Sequence, residues 1–122
     1  MILGHVRDFM PRILLALPGY GGNSLFFEFI MDTAFDGDLT MPSAMLAQLD
    51  ASYLRTRILR LADGSHQECP FYQILLDWHG ETRETEVTIL ENSPLIGSTL
   101  LDGSVVTLEM TDGGEVSVEP LN

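Results

Sequence analysis

Positive charge is scarce in this 122-residue chain, which has 6 Lys and Arg residues against 18 Asp and Glu. The formal net charge of −12 repels phosphate backbones and anionic lipid surfaces. We therefore expect neither nucleic acid nor a membrane as a partner.

Cysteine and long apolar runs are also nearly absent. Cys69 is the single cysteine and cannot form an internal disulfide, so nothing in the sequence requires an oxidising compartment. No run reaches the roughly 18–20 apolar residues of a spanning helix. His5, Arg7 and Asp8 interrupt the apolar start, which is unlike a targeting signal. These features predict a soluble protein of the cytoplasm.

The length and the apolar content suit one domain over residues 1–122. Domains most often have roughly 100–150 residues, and 45% of this chain is hydrophobic, which is enough for a core. Short segments rich in Val, Ile, Leu, Phe and Thr alternate with turn dipeptides, a pattern typical of an all-β fold. The clearest turn dipeptides are Asp36-Gly37, Asp63-Gly64, Asp102-Gly103 and Asp112-Gly113.

The predicted strands are of two kinds. Residues 13–17 and 25–31 are almost continuously apolar, which predicts strands covered on both faces. Residues 84–90, 105–110 and 115–119 alternate, which predicts strands buried on one face. The inward positions of these strands are Val87, Ile89, Val106, Leu108, Met110, Val116 and Val118.

Two helical segments and one long hairpin complete the predicted elements. Proline at the first turn and apolar spacing of three to four residues predict a helix over 42–50, and a shorter turn is expected over 98–101. A hairpin spans 53–78. Arg55 and Arg57 fall on one of its faces and Arg60 on the other, which suggests a bulge before the Asp63-Gly64 turn. This hairpin either acts as a lid or simply caps the sheet.

Asp32 is the first candidate for a functional residue. It ends an apolar segment, where an ionisable group is costly to bury without compensation. Taken alone, Asp32 is an ordinary turn aspartate that caps its own turn through Thr33. Two further elements follow it in order: a hairpin tip at Leu61-Ala62-Asp63-Gly64-Ser65 and an apolar-apolar-glycine segment at Leu95-Ile96-Gly97.

This ordered set resembles the retropepsin-like aspartic proteases, and most closely their small prokaryotic single-domain members. That family has Asp-Thr/Ser-Gly after an apolar strand, a flap hairpin, and an apolar-apolar-glycine element near the end of the chain. The resemblance extends over residues 4–118. It implies an all-β, pepsin-like barrel with one or two short helices.

The resemblance also implies a mechanism and a partner. Asp32 would be catalytic, and its twin would come from a second copy in a homodimer, because the chain has only one such turn. Thr33 would bond across the axis, supported by Ala34 and Gly97, and residues 62–65 (Ala62, Asp63, Gly64 and Ser65) would close over a peptide or unfolded protein. The two carboxylates share one proton and activate a water, so no cofactor or metal is required.

Ala34 departs from the family pattern, which has glycine at this position. Glycine permits positive φ and close backbone approach, and the extra methyl could displace substrate or water. If φ is negative, alanine costs little. The alternative function is therefore an inactive dimeric module that keeps the fold and binds peptides or proteins.

Metal sites are poorly supported by the sequence. Asp32, Asp36 and Asp38 lack the loop of an EF-hand and are expected to be solvated turn residues. His66, Cys69 and His79 lack the four ligands of structural zinc, and no base near Cys69 marks it as a nucleophile. The remaining aromatic residues fit packing roles: Phe26, Phe27 and Phe29 in the core, Phe35 in the core or a subsite, and Trp78 at the hairpin base.

Overall fold

A computed structural model describes residues 1–122 and is built almost entirely of β-strands. The ten strands and two helices are β1 (Ile2–Arg7), β2 (Met10–Pro18), β3 (Ser24–Met31), β4 (Leu39–Met41), α1 (Ser43–Leu46), β5 (Ser52–Arg60), β6 (His66–Trp78), β7 (Glu81–Ile89), β8 (Leu95–Ile96), α2 (Ser98–Leu101), β9 (Ser104–Leu108) and β10 (Glu115–Pro120). The predicted all-β class is confirmed. Neither helix is long enough to cross a membrane.

All ten strands belong to one sheet, in the order β5-β6-β7-β4-β8-β3-β2-β1-β10-β9. The sheet folds back on itself so that β2 packs against β6. Its hydrogen bonding does not close into a barrel, since β5 and β9 each have only one neighbour. The structure is therefore a folded open sheet with two free edges.

The core of 19 buried residues lies on the inner face of this sheet. In β2, Ile13, Leu15 and Leu17 are buried, whereas Leu14 between them is 52% exposed. Phe26 in β3 is likewise 64% exposed. The prediction that these two strands are covered on both faces was wrong, because no second layer packs on the outer side. Because apolar residues also occupy outward positions of these strands, the alternation of buried and exposed residues could not be seen in the sequence.

The predicted alternation is confirmed in the interior strands and fails at the edge. Val87, Ile89, Val116 and Val118 are buried as expected. In the edge segment, Val106 is half-buried, and Leu108 and Met110 are largely exposed. Strand β9 ends at Leu108 and has a neighbour on one side only, so less of the core covers its inner face.

The first helix is shorter than predicted, and the second is as predicted. Helix α1 has four residues and follows Pro42, and the predicted extension to residue 50 is lost. There the chain returns to the sheet: Leu49 bridges to Gly19, and the amide of Asp50 donates to the carbonyl of Pro18, 2.9 Å away. Tertiary hydrogen bonds thus replace further helical ones.

Strands β5 and β6 form the predicted hairpin, although its irregularity lies elsewhere. The pairing shifts between Tyr53 and Arg55 and is regular from Arg55 to Arg60. Arg57 and Arg60 lie on opposite faces through simple alternation, because they are three positions apart. The hairpin residues 56–70 extend beyond β7, whose pairing with β6 begins at Phe71. Trp78 is buried against His79, but it lies at the turn between β6 and β7, where it pairs with Glu81. The prediction that it sits at the base of the β5–β6 hairpin was wrong, because that pairing ends at Ser52 and Gln73.

Asp38 is a buried anchor rather than the solvated turn residue that we expected. Its side chain is 9% exposed and accepts a hydrogen bond from the backbone amide of Glu86, 3.0 Å away. Its other oxygen pairs with the guanidinium of Arg83 at 3.2 Å. Asp38 thereby fixes the approach to β4 against β7, since a buried carboxylate is tolerated only when it is paired.

We expect Asp38→Ala to lower the free energy of unfolding by about 1–3 kcal/mol, because the amide of Glu86 and the charge of Arg83 lose their partner. Asp36→Ala is the matched control, since Asp36 is two residues away and exposed. Urea unfolding of both variants checks the prediction. Equal stability of the two variants would contradict the anchoring role.

Candidate active site

Asp32 lies where β3 ends beside the two-residue strand β8. Strand β8 runs parallel to β3, pairing Ile30 with Leu95 and Met31 with Ile96. The amide of Asp32 continues this ladder by donating to the carbonyl of Ile96 at 2.9 Å. The structure therefore places the Asp32 turn directly against the Leu95-Ile96-Gly97 segment, although about 60 residues separate them in sequence.

The turn is held by the Asp32 residue itself. The amide of Ala34 donates to Oδ1 of Asp32 at 3.0 Å, and the amide of Phe35 donates to its carbonyl at 3.2 Å. The first bond is the side-chain bond of an Asx turn. Oδ2 accepts no hydrogen bond within the chain. Asp32 is half-buried, whereas Thr33 and Ala34 are exposed, so the outer side of the turn faces solvent.

Ala34 fits its backbone conformation. Asp8, Phe9 and His79 are the non-glycine residues with positive φ, and Ala34 is not among them. A negative φ is open to any residue with a side chain. The backbone at this position therefore does not require glycine.

Gly97 packs against the segment that follows Asp32. Its amide donates to the carbonyl of Asp38 at 2.9 Å, and the amide of Ser98 donates to the carbonyl of Phe35 at 2.8 Å. A Cβ atom on Gly97 would lie 2.6 Å from the Phe35 carbonyl oxygen and would overlap the carbonyl of Gly37 as well. This close approach explains why the apolar pair is followed by glycine.

The ring of Phe35 fills space against Gly37 and Gly97. It is absent from the cleft beside Asp32, so Phe35 supports the turn rather than lining a subsite there. Among the other phenylalanines predicted for the core, Phe29 is fully buried, Phe27 is half-buried and Phe26 is exposed.

An open cleft of roughly 400 Å³ adjoins Asp32. Sequence reasoning missed most of its lining. Met10 enters because the β2–β3 register, which pairs Arg12 with Ile30, places it opposite Asp32. The register could not be read before the pairing of β2 with β3 was known. The lining residues are Met10, Ile30, Met31, Asp32, Asn92, Ser93 and Leu95.

The predicted flap residues lie at the tip of the β5–β6 hairpin, apart from Asp32. The tip is a tight turn in which Gly64 has φ of +86°. Oδ1 of Asp63 accepts hydrogen bonds from the amide of Ser65 at 2.9 Å and from its hydroxyl at 2.5 Å. No residue from Ala62 to Ser65 lines the Asp32 cleft.

The structure does not assemble the metal sites considered from sequence. No group of three His, Cys, Asp or Glu side chains is close enough to hold an ion. Cys69 is buried, and burial raises the pKa of its thiol. His79 instead hydrogen bonds the hydroxyl of Ser104 at 2.8 Å.

Comparison of the chain with protein-family models, with curated proteins and with solved structures yields no match.

We expect Gly97→Ala to destabilise the protein by roughly 1–3 kcal/mol, because the added methyl overlaps backbone atoms that cannot move aside. Gly21→Ala is the matched control: its φ is not positive, and the nearest atom to an added Cβ is a side-chain oxygen 3.7 Å away. Thermal unfolding of both variants measures the difference. A Gly97→Ala protein as stable as the control would refute the close packing.

A second prediction concerns the hairpin tip. Hydrogen bonds from the Ser65 hydroxyl and amide lower the pKa of Asp63. A lowered pKa in the folded state means that the turn is stabilised above the ordinary carboxyl range and loses this support as the pH falls through the folded value. The Ser65 amide resonance should titrate with a midpoint below 3.8 in an NMR pH series, and Asp63→Asn should abolish that titration. A midpoint at or above 3.8 would disprove the bonded turn.

Proposed function

We propose that this protein is an aspartic endopeptidase of the retropepsin-like kind, in which Asp32 residues from two copies activate a water molecule. The observation that carries the proposal is the Asp32 turn itself. A half-buried carboxylate with an unbonded oxygen borders an apolar cleft and is braced by the distant Leu95-Ile96-Gly97 segment. Such a turn presents a carboxylate from a rigid support, as catalysis requires.

The second carboxylate must come from outside the chain. Asp38 is already paired with Arg83 and the amide of Glu86, and Asp36 does not line the Asp32 cleft. A two-fold axis beside Asp32 would supply an identical carboxylate through an isologous contact. The exposure of Thr33 and Ala34 leaves this side of the turn free for a second copy.

In such a dimer the two carboxylates divide the chemical work. Two close carboxyl groups cannot both ionise, so they share one proton. The ionised carboxylate takes a proton from the water, which attacks the peptide carbonyl, and the protonated one polarises that carbonyl. Thr33 would hydrogen bond across the axis and hold the turns together. The folded sheets of two copies would then form the pepsin-like architecture that the resemblance implies.

The cleft favours an extended substrate with apolar side chains. Met10, Ile30 and Leu95 supply its apolar surface, and no basic residue lines it. The β5–β6 hairpins, whose tips extend beyond β7, would close over a peptide that adds as a strand. Peptides or unfolded proteins are therefore the proposed substrates. A cytoplasmic location stays a prediction from the sequence.

The first test is cleavage of casein from acidic to neutral pH. The wild type should release peptides, pepstatin should inhibit it, and Asp32→Asn should reduce the rate by a factor of about 100 or more, because only a carboxylate can take the proton. Asp36→Asn is the matched control and should keep the wild-type rate. Absence of cleavage at every pH, or equal cleavage by Asp32→Asn, would favour the inactive binding module that Ala34 suggests.

A second test asks whether the active site is shared between copies. When equal amounts of wild type and Asp32→Asn exchange subunits, wild-type pairs make up about one quarter of all pairs. Activity per total protein should therefore fall to about one quarter of the wild-type value, rather than the half expected of independent chains. A value of one half would exclude a dyad formed by two copies.

A further inference from the structure

Strand β9 is a free edge of the sheet, and its unpaired groups can be identified. The amide of Leu121 donates to the carbonyl of Gly103, and the amide of Glu109 donates to the carbonyl of Glu115. Backbone groups alternate in direction along a strand, so the odd-numbered residues of β9 bond to β10. The amides and carbonyls of Ser104, Val106 and Leu108 therefore point to the free edge. Such a row of unpaired groups is a template for another strand.

The other edge, β5, is protected against pairing, and β9 is not. Strand β5 carries Arg55, Arg57 and Arg60 and has an irregular register near Tyr53. Charges and bulges of this kind discourage a second strand from pairing at an edge. Strand β9 reads Ser-Val-Val-Thr-Leu, with no charge, proline or bulge. The two edges therefore differ in their capacity to accept a strand.

Strand β9 is also complementary to itself. An antiparallel pairing centred on Val106 places Val106 opposite its own copy and Ser104 opposite Leu108, so every edge-facing amide and carbonyl meets a partner. On the outer face, Val105 then lies opposite Thr107. Pairs of β-branched residues are favourable across strands.

The charges that flank β9 permit this register. Extending the pairing places Asp102 opposite Met110, and Glu109 opposite Gly103. No carboxylate faces another carboxylate directly, although the whole chain carries a net charge of −12. Like charges directly opposite each other would destabilise the pair.

From these features we propose that β9 pairs with β9 of a second copy, antiparallel and about a two-fold axis at Val106. Asp32 follows β3, which is four strands away from β9 in the sheet, or roughly 19 Å at the usual strand spacing. This contact cannot bring two Asp32 residues together. It is separate from the dyad contact and does not depend on the proposed function.

Oxidative cross-linking tests the contact directly. Cα atoms of a hydrogen-bonded antiparallel pair lie about 5.5 Å apart, within the range of a disulfide. Val106→Cys should therefore form a disulfide-linked dimer under mild oxidation. Phe26→Cys is the matched control, since Phe26 is more exposed but lies away from the edge. Buried Cys69 is present in both proteins. Equal cross-linking of the two variants would overturn the proposal.

The register is tested by introducing charges at two exposed positions, Val105 and Thr107. The double variant Val105→Lys/Thr107→Lys places ammonium groups opposite each other and should weaken this association about tenfold or more in sedimentation experiments. Val105→Glu/Thr107→Lys places opposite charges together and should associate at least as well as the wild type. If both variants associate like the wild type, or both lose association equally, the proposed register is wrong.

The outcome is distinguishable from that of the protease proposal. Loss of β9 pairing should leave casein cleavage and its subunit-mixing behaviour unchanged, because the Asp32 turn is remote from the edge. Asp32→Asn should leave the Val106→Cys cross-link unchanged for the same reason. A cross-link that disappears with Asp32→Asn would show that the two contacts are one, and would overturn the separate β9 interface.

Discussion

The insertion of β8 between β3 and β4 is the constraint on which the rest of this structure depends. Two residues, Leu95 and Ile96, join the hairpin strands β1 to β3 to the unit formed by β4 to β7. Without them, the sheet would separate into two halves whose apolar faces would each lack part of their cover. Gly97 ends the insertion and allows the backbone after Asp32 to approach closely. The position of Asp32 thus follows from a long-range contact rather than from its own turn.

Buried polar groups make this insertion specific. The hydroxyl of Thr40, which is buried, accepts a hydrogen bond from the amide of Leu95 at 3.1 Å. The carbonyl of Asp38 accepts from Gly97 while its side chain bonds to β7. A shifted register would leave these groups buried without partners, at a cost of about 1–3 kcal/mol each. Hydrophobic burial drives the halves together, and these bonds select a single alignment.

The sequence predicted what depends on local chemistry. Turn dipeptides indicated the strands, a short turn was expected over 98–101 where helix α2 lies, and the apolar context singled out Asp32. Burial of Leu14 and Phe26 was predicted wrongly, because hydrophobicity alone does not tell whether a second layer covers a face. Met10 lies in the candidate site because of the register between β2 and β3, and Asp38 is buried because of its contacts with β7. Both depend on pairings between distant segments, which local patterns do not encode.

The negative net charge of the chain disfavours unspecific association between copies, and this affects how the two proposed contacts are to be understood. Copies that each carry −12 repel one another at distances up to about the Debye length, roughly 8 Å at physiological ionic strength. This repulsion therefore disfavours unspecific association of copies through exposed apolar side chains on the outer face, such as Leu14 and Phe26. A contact that forms despite this repulsion must be stabilised by strong interactions that act only at short range. The proposed strand pairing at β9 would do so through directional hydrogen bonds, and the proposed Asp32 pair would do so by sharing a proton, which would remove one of the two facing charges. The acidic surface would thus raise the specificity of both proposed contacts, and higher ionic strength would strengthen them by screening the same repulsion.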